Sequence, residues 1–185
     1  MQGNYPYLFT SERLGFRAWN TSDIPLMAAI NADPAVMEFF PAIQSLQQTE
    51  AFIERVHQSI TANGFGYFAV DRLDTGAFIG FIGLMEKTFE AAFTPCIDIG
   101  WRLSRQHWNN GFATEGAKRC LDYAFNDLHL LKVYCMAPVI NKKSEAVMQK
   151  IGMRKAGHFN HPLLKGDARL EDCVLYEMTN DKASS

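Results

Sequence analysis

The chain has 185 residues, 48% of them apolar and 21% charged. That is a size for one domain, with enough apolar material for a packed core, and it excludes global disorder. A formal charge of −2 with no Lys/Arg cluster gives no long-range attraction to nucleic acid.

The four cysteines, Cys96, Cys120, Cys135 and Cys173, lack the C-x-x-C pairs of zinc or redox motifs. They read as buried reduced thiols of a cytoplasmic protein. Met1–Phe9 has no basic segment running into an apolar one, so no secretory signal is expected. No run reaches the length of a bilayer span. A short polar tail follows at Thr179–Ser185.

In chain order, Arg13–Trp19 alternates as an opening strand. Asn20-Thr21-Ser22-Asp23 offers capping side chains, and Pro25 fits the first turn of a helix through Ile30. Asp33-Pro34 restarts a short helix that ends before Pro41. Thr49–Ala62 carries Phe52, Ile53, Val56 and Ile60 on one helical face and stops at Asn63-Gly64. Strands Gly66–Arg72 and Phe78–Leu84 flank the hairpin turn Leu73-Asp74-Thr75-Gly76. Ile97–Leu103 is the next strand. A helix over about Phe112–Leu128 buries Ala113, Ala117, Cys120, Leu121, Ala124 and Leu128. Lys132–Pro138 reads as a buried strand and Asn141–Ile151 as a capped helix closed by Gly152. Arg154–His158 and Cys173–Met178 are the last strands. This order implies an α+β or mixed-sheet domain rather than a doubly wound one.

The segment Trp101–Glu115 is the most informative. A strand enters a turn holding Asn109-Asn110-Gly111, and an amphipathic helix follows at once. A helix start leaves its first N–H groups unpaired and carries roughly half a positive charge. Gly111 lets a phosphate approach the main chain, although a tight turn alone would also account for it. Neither G-x-x-x-x-G-K-[ST] nor G-x-G-x-x-G occurs, so the two familiar phosphate loops are excluded.

Three motifs at matching spacing resemble the GNAT superfamily of acyl-CoA-dependent N-acetyltransferases. They are Ile97-Asp98-Ile99-Gly100-Trp101-Arg102-Leu103, Trp108-Asn109-Asn110-Gly111-Phe112-Ala113-Thr114-Glu115, and Asn141-x-x-Ser144-x-x-Val147 running to Ile151-Gly152-Met153. The second fits [QR]-x-x-G-x-[GA] with Trp108 in place of Gln or Arg. Ser11-Glu12-Arg13-Leu14-x-Phe16-Arg17 and Asp33-Pro34-x-Val36-Met37 look like the RimJ/RimL branch, which acetylates ribosomal-protein amino termini and assorted small amines.

The resemblance covers about residues 11–178 and implies one GNAT domain spanning 1–185. It implies a mixed, mostly antiparallel sheet with splayed central strands and helices on both faces. It further implies acetyl-CoA as co-substrate, an amine acceptor, no metal, and no nucleic-acid or membrane partner. The assembly would be a monomer or a homodimer, with an exposed strand edge near the C terminus available for the latter.

In this likeness the main chain of Trp101, Arg102 and Leu103 bonds the pantetheine arm, and the turn and helix start hold the pyrophosphate. The turn and helix start comprise Trp108, Asn109, Asn110, Gly111, Phe112, Ala113 and Thr114. Asn141 would bond the pantetheine side. The thioester would lie near Asp98–Gly100, where a backbone N–H polarises its carbonyl.

An amine is largely protonated at neutral pH, so its attack needs a base. Glu86 and Asp98 are the candidates, each with a surface carboxylate as the alternative; the alternation around Asp98 turns it away from one packed face and leaves solvent open. Met148 stands where many GNATs place a Tyr acid. Ser144 is the nearby hydroxyl, with a first-turn role satisfying backbone N–H groups as its alternative. A non-catalytic acyl-CoA-binding module, acting as a sensor or docking domain, is the competing function. The Lys87–Pro95 loop and the Phe39-Phe40-Pro41 corner are expected over the acceptor mouth, and Cys96 and Cys135 beside the slot.

Overall fold

The fold was derived from a computed structural model, which describes residues 7–180. Most of the amino-terminal stretch read for a leader and most of the polar tail lie outside the described residues. Eight strands form one sheet: β1 (Phe9–Thr10), β2 (Leu14–Arg17), β3 (Tyr67–Arg72), β4 (Phe78–Lys87), β5 (Cys96–Leu103), β6 (Lys132–Pro138), β7 (Arg154–Asn160) and β8 (Asp172–Thr179). Their spatial order is β1-β2-β3-β4-β5-β6-β8-β7. Every pairing is antiparallel except β5 with β6. β7 is thus a free edge near the C terminus, where the sequence placed one.

Among the described residues four α-helices accompany the sheet: α1 (Asp23–Asn31), α2 (Leu46–Asn63), α3 (Phe112–Asp122) and α4 (Lys142–Lys150). The strand period of two sends β3 side chains to both faces. Tyr67 and Ala69 join Phe81 from β4 and Met27, Ile30, Ile53 and Val56 from α1 and α2. Phe68 and Val70 join Ile82, Leu84 and Ile99, with Ala117 and Cys120 of α3 and Met148 of α4. The sheet is therefore covered on both sides, as expected.

Several local readings change. α2 begins at Leu46 because Ser45 and Gln48 form a reciprocal capping box, a signal the apolar pattern did not carry. Its end is as read: Gly64, at φ 76°, takes the left-handed cap conformation. No helix forms after Asp33. The Asp33 carboxylate bonds the Ala35 amide, and the Val36 and Met37 amides both converge on the Asp33 carbonyl, giving a turn that buries Val36 and Met37. The helix expected to reach Leu128 ends as α at Asp122 and continues as a π turn over Tyr123–Asp127, where the Leu128 N–H reaches back to the Tyr123 carbonyl. The two-residue β1 was not foreseen.

A buried charge cluster ties β2, β3 and α1 together. Arg17 Nε and Nη2 donate to the two oxygens of Asp71 at 2.7 and 2.9 Å, while Nη1 and Nη2 reach Asp23 at 2.6 and 2.9 Å. All three residues are buried. Asp23 also accepts from the Asn20 amide, so the expected N-terminal carboxylate serves this cluster. Removing one partner of a buried pair leaves uncompensated charge and costs about 3–5 kcal/mol. Arg17→Met is therefore expected to lower folding stability by about that amount, read as a fall in the denaturant midpoint at unchanged m-value.

Candidate active site

β5 and β6 part almost as soon as they meet. They share one registered residue pair, Asp98 with Tyr134. The Cys135 thiol donates to the Ile99 carbonyl at 3.1 Å just beyond it. Past that point the Gly100–Leu103 edge has no strand partner on its β6 side among the described residues, and a cavity of about 740 Å³ opens there. Its walls include the β5 residues from Asp98 to Leu103, the turn after β5, Pro138 and Asn141, the first turn of α4, and the Phe39-Phe40-Pro41 corner.

The turn leading into α3 has two left-handed residues, Asn109 at φ 62° and Gly111 at φ 79°. Gly111 is the helix N-cap and offers no side chain to the first-turn amides. A side chain at that φ would be strained, and the nearest atom to a Cβ there would be Arg13 Nη2 at 3.5 Å. Arg13 also donates from Nη1 to the Asn110 carbonyl, which brings a cation beside the turn. That guanidinium is already paired with Glu115 of the first turn, Nε to Oε2 at 2.6 Å, so it is the uncapped amides and the positive helix end that fit a phosphate. Trp108 does not contribute a polar group outward, because its indole N–H donates to the Leu103 carbonyl at 2.9 Å and locks the turn to β5. Trp108, Asn109, Gly111, Phe112, Ala113 and Thr114 line the cavity; the exposed Asn110 does not, and its side chain bonds the Trp108 carbonyl.

On the other side of the opening, Asn141 caps α4. Its side-chain oxygen accepts from the Ser144 amide at 3.1 Å. Its NH₂ makes no hydrogen bond among the described residues. Ser144, half-buried, lines the cavity one turn before Met148, whose fully buried side chain has no proton to give.

The two carboxylates separate clearly. Glu86 is exposed and is not among the cavity-lining residues. The strand period explains it: Lys87 and Met85 turn toward the Tyr67–Phe81 face, and Glu86 turns the other way. Asp98 is 5% exposed and lines the cavity, so it is not a solvent-facing residue. Its Oδ2 accepts from Tyr67 Oη at 3.1 Å and lies 3.8 Å from Lys87 Nζ. Its Oδ1 is buried with no partner in hydrogen-bonding geometry, although the Met136 amide lies close enough to favour the charged form. Burial dominates, and the Asp98 carboxyl is pushed up to about 6 despite Lys87. Burial also raises the Tyr67 phenol to about 12, which keeps it a donor at neutral pH.

Tyr67 and Lys87 were not singled out from the sequence as partners of Asp98. The signal was the β4–β5 hairpin register, which pairs Met85 with Asp98 and Lys87 with Cys96 and so stacks the lysine beside the acid. The Lys87–Pro95 loop does reach the cavity through Lys87 and Phe89, while of the two cysteines placed beside the slot only Cys135 lines it. His161 packs its ring 4.4 Å from Phe89, and no group of three or more metal-ligating residues is gathered among the described residues.

A mixed sheet that opens between two parallel strands, with a helix start and a strand edge at the opening, is the architecture of acyl-CoA-dependent acyltransferases. The family model described as the acetyltransferase (GNAT) domain matches residues 13–154. The chain belongs to the GNAT family and is an acetyltransferase. The uncharacterized N-acetyltransferase YnaD of Bacillus subtilis is 27% identical over 159 residues, 85% of this chain and 89% of that protein. A GNAT-family acetyltransferase from Bacillus anthracis superposes with a TM-score of 0.78 at 25% identity, over 93% of this chain and 98% of that one. The spermidine N-acetyltransferase of Vibrio cholerae, solved with CoA and spermine, shares the fold with a TM-score of 0.72 at 23% identity, again over 93% and 98%. Members of this family use acetyl-CoA and an amine acceptor.

The raised Asp98 group has a consequence for stability. The folded chain holds this proton up to about pH 6, whereas an unfolded Asp releases it near 3.9. The contribution of Asp98 to stability is therefore full below about pH 4 and is lost as pH rises to 6. The melting-temperature difference between Asp98→Asn and the wild type should grow more positive from about pH 4 to 6 and then level off. A flat difference across that range, measured by thermal scans, would mean that Asp98 titrates at its ordinary value.

Proposed function

We propose that the protein transfers the acetyl group of acetyl-CoA to a primary amine by direct attack within a ternary complex. The amine is a protein N terminus or a small molecule, the branch is RimJ/RimL-like, and the setting is the cytoplasm. The single observation that carries the proposal is the position of Asp98. It is a buried carboxylate beside a phenol and an ammonium, at the one point where β5 and β6 still touch and the cavity begins.

Each residue then has a task. The amides of Asn109 to Thr114, with Arg13 beside them, hold a diphosphate at the start of α3. The main chain of Trp101–Leu103 bonds an extended amide-bearing arm as an added strand would, and the Asn141 NH₂ bonds its other side. Acetyl-CoA supplies the activated acyl group. A backbone N–H within Asp98–Gly100 stabilises the oxyanion. Asp98, ionised above about pH 6, accepts the proton of the amine directly or through one water. Lys87 and Tyr67 hold it in place and keep its charge tolerable. Glu86, exposed and off the cavity, leaves Asp98 as the base of choice.

No dedicated acid is required, because a thiol near pKa 8.5 is an adequate leaving group. Ser144 has its backbone N–H committed to the Asn141 cap, and its hydroxyl is free to donate to the departing sulfur. RimJ/RimL likeness is supported by the Asp33–Met37 and Ser11–Arg17 motifs. Cytoplasmic placement is supported by four unpaired cysteines and by the absence, among the described residues, of a helix long and apolar enough to cross a membrane.

The test is CoA release with acetyl-CoA and a panel of amines and peptides, with product mass measured. Acetyl transfer is expected, with kcat falling as pH drops below about 6. Asp98→Asn should lower kcat by about 10²-fold or more and flatten that acidic limb. Tight acetyl-CoA binding without any acetylated product would instead favour a sensor or docking role.

A further inference from the structure

Two arginines are buried on the sheet, Arg17 at 4% exposure and Arg102 at 8%. Arg17 grips two aspartates. Among the described residues Arg102 has no acidic partner. Its Nη1 donates to two neutral oxygens, Asn31 Oδ1 at 2.6 Å and Gln44 Oε1 at 3.4 Å. Asn31 is itself fixed by donating to Thr49 Oγ1 at 2.9 Å. That leaves the opposite edge of the guanidinium. Nε is buried without any partner, and Nη2 makes no hydrogen bond among the described residues. Phe40 and Phe81 flank the group, their ring centroids 4.2 and 5.5 Å from its central carbon. Burial without a nearby carboxylate pulls the Arg102 guanidinium down to about 10.

An unpaired buried guanidinium is a standing penalty unless something meets it. The vacant Nε/Nη2 edge is the fork that fits both oxygens of a carboxylate. The chain uses that same edge in Arg17, whose Nε and Nη2 take the two oxygens of Asp71. Arg102 also stands in the right place. Asp98, Gly100 and Arg102 alternate onto one face of β5, with the Cα atoms of Asp98 and Arg102 about 13 Å apart along the strand. Both line the cavity, and the Phe39-Phe40-Pro41 corner closes over the Arg102 end. The charges on the cavity wall agree. Among the described residues the β4–β5 wall carries Lys87 and Arg102 against Asp98, its single acid, while Lys143 and Lys150 belong to α4 on the side given to the CoA arm. A polycationic acceptor would meet repulsion there, and an acceptor bearing an anion would not.

We propose that the acceptor amine also carries a carboxylate, which the Nε/Nη2 edge of Arg102 binds while the amino group lies at Asp98. This rests on the amine-acceptor reading above and narrows it to amino-acid-like substrates. Arg102 thereby sets specificity through its side chain, in addition to the contribution of its main chain to the strand edge.

The test compares kcat/KM for ω-amino acids from β-alanine through 6-aminocaproate and longer with the matching amides and with diamines. The carboxylates are expected to exceed the amides by about tenfold or more, with diamines poorest. In Arg102→Met that ratio should fall to near one, and Arg102→Lys should keep part of it. A ratio of one in the wild type, or a loss in Arg102→Met that strikes both series equally, overturns the proposal, the latter because it marks a merely structural arginine. Calorimetric titration of the CoA-loaded protein with caproate against caproamide reads the same site without turnover. Selective caproate binding abolished in Arg102→Met upholds the subsite even if no amine is acetylated, in which case the transfer reading alone has failed. Equal binding of the two, or selectivity that survives the substitution, rejects it.

Discussion

β5 and β6 are held together as strands at one residue pair, Asp98 with Tyr134, and the functional architecture follows from that single point of contact. Parallel strands that stayed paired would consume the backbone groups of Gly100–Leu103 and leave no opening. Because they diverge, one strand edge in the middle of the sheet remains free. Elsewhere an unpaired edge invites a second chain. In the centre of a sheet covered by helices on both faces it can admit only a narrow, extended ligand, which is what an amide-bearing pantetheine arm supplies.

The rest of the molecule keeps the opening from closing or collapsing. The Arg17–Asp71–Asp23 cluster fixes α1 to β2 and β3, and α1 packs with α2, whose Phe52 lines the cavity. Trp108 bonds back to Leu103 and fixes the approach of α3, so its amide-bearing first turn faces the opening rather than the core. Asn141 performs the same service for α4. The Trp108 and Asn141 bonds each join one wall of the cavity to an adjoining segment.

Electrostatics within the cavity divide between two buried groups that lack full compensation. Asp98 has one oxygen without a hydrogen-bond partner, and Arg102 has an unused edge. Both lie on the same face of β5. Native interiors rarely leave such groups unmet, and their pairing in one cavity is the ground for the acceptor site proposed above.

Local signals in the sequence were enough for strands β2 to β8 and for the four helices, though not for β1 or for the turn that replaces a helix after Asp33. Apolar alternation has a period of two and helical stripes a period near 3.6, and both survive without knowledge of the partner. The turn at Asn109–Gly111 was legible because left-handed residues and a following helix announce themselves within a few positions. The end of α2 was equally local, set by Gly64; its start hid in a side-chain bond between Ser45 and Gln48. What the sequence left open was the choice between Glu86 and Asp98, and the company that Asp98 keeps. Tyr67 lies 31 residues away from it, and Arg102 takes its partner Asn31 from 71 residues away. Those encounters depend on hairpin register and on how α1 and α2 cross the sheet. Burial, and with it the raised proton affinity of Asp98 and the unmet edge of Arg102, exists only once distant segments exclude water together.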